Sequence, residues 1–247
     1  MKTISAITSF NKHYYNLIGK DSVDTWVKYW PKNVELVVYA EEFTVPNIDT
    51  RIREISFTEL PKEYAEFQSD PAIGGRVKTF AKKAYSIIHA FDNNTAERII
   101  WMDADALTLK PVPFEFLESL CPDDTLLVYM RVWHNIVKED PSSQRVPSAE
   151  SGIFVVNTQH TEFQAFSQRY KQYYNERITA KLRRFYDGEV LGAVAQEFEG
   201  KCKIIDLCEN FHKPFKTPLK HTTLGDYFYH LKSKHSKDQF AETSAIK

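Results

Sequence analysis

Arg98-Ile99-Ile100-Trp101-Met102-Asp103-Ala104-Asp105-Ala106-Leu107 is the stretch from which the rest of the chain is read. Arg98 to Met102 is short, apolar and rich in β-branched and aromatic side chains, the pattern of a buried strand. It runs straight into two acids placed two residues apart. On an extended backbone such residues share a side, so both carboxylates would project together. Two carboxylates about 4 Å apart repel by roughly 4 kcal/mol at an effective dielectric near 20. At a strand end beside a core, a cation or a shared proton must relieve that repulsion. A hard divalent ion, Mn²⁺ or Mg²⁺, takes carboxylate oxygen and keeps positions open for phosphate oxygens. Open α/β sheets bind their ligands at the carboxyl ends of strands, which is where this pair falls.

Working outward, Ile4 to Phe10 reads as a strand and Tyr14 to Trp30 as a helix stopped by Pro31. Val34 to Ala40 is a second buried strand, which makes a βαβ unit and a parallel sheet. Residues 41–75 are irregular, broken by Pro46, Pro61, Pro71 and Gly74-Gly75. Arg76 to Phe91 is an amphipathic helix, with Val77, Phe80, Ala81, Ala84, Ile87 and Ile88 at helical spacing. Thr125 to Met130 and Gly152 to Asn157 read as further strands, Tyr170 to Arg184 and Glu189 to Phe198 as helices. The class is α/β with a mostly parallel central sheet, and no linker or repeat divides residues 1–247.

The 247 residues carry 32 Lys+Arg against 33 Asp+Glu, a formal net charge of −1. That balance argues against a nucleic-acid partner, because phosphate-backbone binding draws on a basic surplus. No segment reaches the roughly 18 apolar residues of a membrane helix. The N-terminus is too polar for a secretory leader, so a cytoplasmic protein is expected. Cys121, Cys202 and Cys208 form neither a disulfide framework nor a zinc pattern, and thiols in a reducing compartment fit them better. Only 8 glycines are present, with no GxGxxG and no GxxxxGK[ST]. Neither a dinucleotide loop nor a P-loop is therefore written here. The last 47 residues hold nine lysines against five acids and four of the 8 histidines, so a basic tail follows an acidic body and is expected to fold over an anionic ligand.

The strand followed by Asp103-Ala104-Asp105 resembles the metal motif of GT-A fold glycosyltransferases, especially the glycogenin-like and lipopolysaccharide-type enzymes. Three more segments fall in the order used by that group. Arg76-Val77-Lys78-Thr79-Phe80-Ala81-Lys82-Lys83 resembles its basic helix, which implies donor contacts from Arg76, Lys82 or Lys83. Glu150-Ser151-Gly152-Ile153-Phe154-Val155-Val156-Asn157 resembles its acceptor-side strand. His230-Leu231-Lys232-Ser233-Lys234-His235-Ser236-Lys237 resembles its C-terminal H-x-x-G-x-x-K, with Ser233 in place of the glycine. The resemblance implies a three-layer GT-A-like sandwich. Residues 1–110 would bind the donor, and residues 111–247 would supply the acceptor half and a metal-closing tail. Asp103, Asp105 and His230 would hold Mn²⁺ or Mg²⁺, with His235 the competing histidine. Asp103 would also touch the donor, and Lys234 or Lys237 would meet its diphosphate. Thr8, Ser9 and Phe10, at the end of the first strand, would meet the base and ribose.

Other positions carry two readings each. Asp187 either caps the helix that opens near Glu189, or binds the acceptor hydroxyl or serves as general base. Glu150 is its rival for that catalytic role. Lys82 and Lys83 either face solvent or contact the donor. Trp133-His134-Asn135 suits either an acceptor-facing loop or the core. The expected activity is transfer of a sugar from a nucleotide-sugar donor to a glycan, lipid or protein acceptor. A haloacid-dehalogenase-type phosphatase also carries a strand-DxD, but normally on the first strand, and Leu107 replaces its following Thr or Val. A nucleotidyltransferase would need a Gly-rich basic loop after the first strand. A non-catalytic sugar- or metal-binding module is the third alternative.

Overall fold

Strands and helices alternate through the first half of the chain, and the strands between them are apolar on both faces. A computed structural model describes residues 2–46, 48–135, 145–181, 186–209 and 218–231. Strand β1 (Ile4–Asn11) leads into a helical run of one α-turn (α1, Lys12–Tyr14), a π-turn (Tyr15–Gly19) and α2 (Lys20–Tyr29). Asn11 starts that run as an N-cap, its Oδ1 accepting from the Tyr14 N–H at 2.7 Å. There follow β2 (Glu35–Glu41), β3 (Ile52–Ser56), α3 (Lys62–Ser69), α4 (Gly75–Asn93), β4 (Arg98–Met102) and β5 (Ala106–Thr108). The second half contains α5 (Phe114–Leu120), β6 (Thr125–Asn135), β7 (Arg145–Asn157), α6 (Phe163–Asn175), α7 (Asp187–Phe198), β8 (Lys203–Asp206) and β9 (Phe228–His230).

Seven strands form the central sheet in the order β3-β2-β1-β4-β7-β6-β8. Only the β4–β7 and β6–β7 pairs are antiparallel, so the sheet is mostly parallel, as expected. The two-residue period of a strand divides the core. Ile99 and Trp101 join Ile7 and Val37 under α4, α6 and α7, while Ile100 and Met102 join Ala6 and Val38 over α2 and α5. Helices on both faces of a sheet make the three layers. Among the described residues, no helix is long and apolar enough to cross a membrane.

Several boundaries differ from the sequence reading. Residues 41–75 contain a strand and a helix, β3 and α3. The helix expected over 170–184 is Phe163–Asn175, whose buried stripe is Phe163, Phe166, Tyr170, Tyr173 and Tyr174. The backbone does not stay extended through the acid pair. The Ala106 N–H donates to the Asp103 carbonyl at 2.9 Å, closing a turn over both acids.

That turn delivers the chain into β5, which α2 anchors. Ser22 Oγ donates to the Ala106 carbonyl at 2.7 Å, and Trp30 Nε1 donates to Thr108 Oγ1 at 2.9 Å. Strand β9 pairs antiparallel with β5 and sets His230 opposite Ala106. The Leu231 N–H extends the pairing to the Asp105 carbonyl at 3.0 Å. Two backbone pairings thus hold the tail histidine beside the acids.

Candidate active site

Three side chains meet at the carboxyl end of β4. His230 Nε2 lies 2.9 Å from Asp105 Oδ1 and 3.7 Å from Asp103 Oδ2, and Nδ1 lies 3.2 Å from Glu150 Oε1. Ligand atoms of Asp103, Asp105 and His230 all fall within 4.8 Å of one another. Two carboxylate oxygens and an imidazole nitrogen form a donor set that suits Mn²⁺ or Mg²⁺. The strand beneath is shaped to receive the ring. A Cβ on Gly152 would stand 2.5 Å from His230 Cε1 and 2.6 Å from Nδ1, so only glycine leaves room for the imidazole. Gly152→Ala is expected to push the ring off the acids, costing about 1–3 kcal/mol of stability as an overpacked site. Mn²⁺ titration and thermal denaturation of that variant should show weaker ion binding and a lowered Tm.

On the other side of Asp103 sits a buried cation. Lys83 Nζ donates to Asp103 Oδ1 at 2.6 Å and to the Ser151 carbonyl at 2.7 Å, and it lies 2.7 Å from Asp187 Oδ2. Trp101 Nε1 donates to the same Asp103 oxygen at 2.7 Å. Ser151 Oγ donates to Asp187 Oδ2 at 2.5 Å. Asp187 is held there because α7 lies directly on β7. A Cβ on Gly188 would come within 2.4 Å of the Ala149 carbonyl, and one on Gly192 within 2.6 Å of Ser148 Cα. The residue before Asp187, Tyr186, occupies the N-cap position, and Asp187 turns its carboxylate to Lys83 instead of capping.

Charge sets the protonation states. Burial opposes the positive charge on Lys83, but Asp103 and Asp187 outweigh it and hold the ammonium above its ordinary pKa. Burial acts against the Asp187 carboxylate as well, yet Lys83 and the Ser151 hydroxyl keep it below the usual range. Burial also disfavours charged His230. Its hydrogen bonds to Asp105 and Glu150, with Asp103 nearby, nevertheless push it up to about 10. Among the described residues lining one cleft of about 380 Å³, the acids Asp103, Asp105, Glu150 and Asp187 face two basic side chains, Lys83 and His230. A divalent cation would offset that acidic excess.

The remaining expected residues divide between this cleft and its neighbour. Ser9 lines both, as do Tyr14, Thr79 and Lys83. Phe10 lines the neighbouring cleft, where Lys82 is bound to Glu41 Oε1 at 2.5 Å. Thr8 is buried in the sheet at 3% exposure. Arg76 is exposed, its guanidinium 4.8 Å above the Tyr186 ring. Lys234, Lys237 and His235 lie outside the described residues, as do the side chains of Trp133, His134 and Asn135. Sequence reasoning passed over Trp101 and Ser151 as partners. Their signal was position, two residues before the first acid and next to Glu150.

No protein-family model matches the sequence, and no curated protein matches it. Solved structures share its fold. Mouse xyloside xylosyltransferase 1, in its apo form, aligns with a TM-score of 0.54 at 12% identity, over 83% of this chain and 85% of that one. The apo structure of WbbM, a bifunctional glycosyltransferase, aligns with a TM-score of 0.52 at 11% identity over 83% of this chain. The region shared with WbbM is 39% of its length, so this chain spans about two fifths of that protein. The GT-A-like glycosyltransferase fold implied by the strand-DxD resemblance is the fold observed.

Proposed function

We propose that the chain is a glycosyltransferase that moves a sugar from a nucleotide-sugar donor to an acceptor with the help of a divalent ion. The observation that carries this reading is the convergence of Asp103, Asp105 and His230 at the carboxyl edge of a glycosyltransferase-like sheet. These three residues would hold Mn²⁺ or Mg²⁺, which when bound supplies Lewis-acid stabilisation of the departing diphosphate. Lys83 adds a fixed positive charge in the same cleft. Asp187, kept ionised by Lys83 and Ser151, serves as a hydrogen-bond acceptor that orients a sugar hydroxyl. Its depressed pKa makes it a weak base. The cleft lined by Ser9, Phe10, Asn11, Tyr14 and Glu41 continues from the metal cleft and is where the donor's base and ribose would extend. Lys234 and Lys237, which follow His230 in the chain, are proposed to add charge-assisted contacts to the diphosphate.

A thermal-shift screen of nucleotide sugars with and without Mn²⁺ tests the proposal. At a ligand concentration of 100 Kd, binding adds about 2.7 kcal/mol, which raises Tm by roughly 5–11 °C for a chain this size. At least one donor should stabilise the protein only with the metal present, and that pair should slowly release nucleoside diphosphate. A screen with no metal-dependent shift from any donor counts against transfer.

A further inference from the structure

Glu150 and Gly152 sit two residues apart on β7 and so share a side of the strand, and each meets the His230 imidazole in a different way. Gly152 leaves the space that the ring fills. Glu150 places Oε1 3.2 Å from Nδ1. The other ring nitrogen, Nε2, points the opposite way, 2.9 Å from Asp105 Oδ1 and 3.7 Å from Asp103 Oδ2. Both side chains are largely enclosed, at 13% exposure for Glu150 and 10% for His230. Backbone pairing of β9 with β5 places the His230 Cα but does not by itself set the side-chain torsions of the ring.

We infer that Glu150 is a positioning residue, whose carboxylate grips His230 through Nδ1 and so aims Nε2 toward Asp103 and Asp105, where an arriving divalent ion displaces the Nε2 proton. The inference rests on the metal site proposed above. An imidazole has one nitrogen to offer a metal only when the other carries the proton, and a carboxylate accepting that N–H fixes both tautomer and ring plane. On this reading Glu150 acts through His230 and not as the base, with its Oε1 turned to the imidazole.

The test is a titration of the full chain with Mn²⁺ alone, read by electron paramagnetic resonance of the free ion, on wild type, Glu150→Gln and Glu150→Met. The amide oxygen of Gln still accepts from Nδ1–H, whereas Met fills the same space without an acceptor. Glu150→Gln is expected to bind within about threefold of wild type and Glu150→Met about 10- to 100-fold more weakly, the range seen when outer-shell partners of a ligating histidine are lost. Metal-free far-ultraviolet circular dichroism of wild type and both variants should agree, which separates positioning from a general loss of structure, although Glu150→Met should melt lower because buried His230 loses a partner. Met binding as tightly as wild type overturns the inference. So does Gln binding as weakly as Met, because Glu150 would then act as a direct ligand or through its charge. If Glu150→Met does not fold, Gln alone decides, with wild-type-like affinity supporting the inference and weak affinity overturning it. Wild type that binds no Mn²⁺ removes the metal site itself, a failure distinct from the others.

Discussion

Asp105→Ala is expected to abolish Mn²⁺-dependent donor binding while leaving the fold intact. The residue is buried, at 7% exposure, and its Oδ1 lies 2.9 Å from His230 Nε2. Removing it takes away one of the three proposed ligands. Lewis-acid stabilisation is worth several kcal/mol in the barrier, so transfer or donor hydrolysis should fall by about a thousandfold. The fold should persist for two reasons. The Asp105 carbonyl, which accepts from the Leu231 N–H at 3.0 Å, is unaffected by the substitution. Its carboxylate also repels that of Asp103, and relief of that repulsion offsets part of what is lost with its 2.9 Å ion pair to His230. Far-ultraviolet circular dichroism should match wild type, and isothermal titration should show no binding that depends on Mn²⁺. Retained metal-dependent donor binding would falsify the ligand assignment.

Lys83→Met should be the most destabilising single change in the cleft. The Lys83 side chain is 12% exposed and lies within 2.7 Å of both Asp103 and Asp187. Removing one partner from a buried ionic group typically costs 3–5 kcal/mol, because the charges left behind have lost their compensation. For a chain of this length that corresponds to a fall in Tm of about 6–20 °C. The loss should depend on pH with a definite sign. In wild type, Asp187 has a depressed pKa, so its contribution is present above the ordinary aspartate value of 3.8 and is lost as pH falls through the depressed one. Without the lysine that depression disappears, and protonating the carboxyl relieves the variant. The gap between the two proteins should therefore narrow between pH 8 and pH 4. An unchanged gap across that range would show that Lys83 acts through packing and not through charge.

The strand ending in two acids was legible because all its information is local: an apolar run, then carboxylates that such a position cannot leave uncompensated. The βαβ start and the α4 helix were legible for the same reason. What escaped depends on distant partners. Lys82 and Lys83 are neighbours on one helix, and helical periodicity does not say which one turns inward. Lys83 does so because Asp103, 20 residues away, and Asp187 meet it there. Strand β9 is three residues long and exists through its pairing with β5, and β3 is a half-exposed edge strand between proline-rich segments. Gly188 and Gly192 stand four apart, the spacing of one helix face, but that spacing does not say which distant strand the face meets. They are where α7 touches the β7 backbone.

The pairing of β5 with β9 also bears on the order of events during synthesis. His230 is 125 residues downstream of Asp105, so the ribosome makes the acid pair long before the third proposed donor atom exists. A polypeptide stopped between these two residues would carry the acid pair without the imidazole that β9 delivers. On the proposed function, such a product would lack the full donor set and so would not hold the ion that transfer requires.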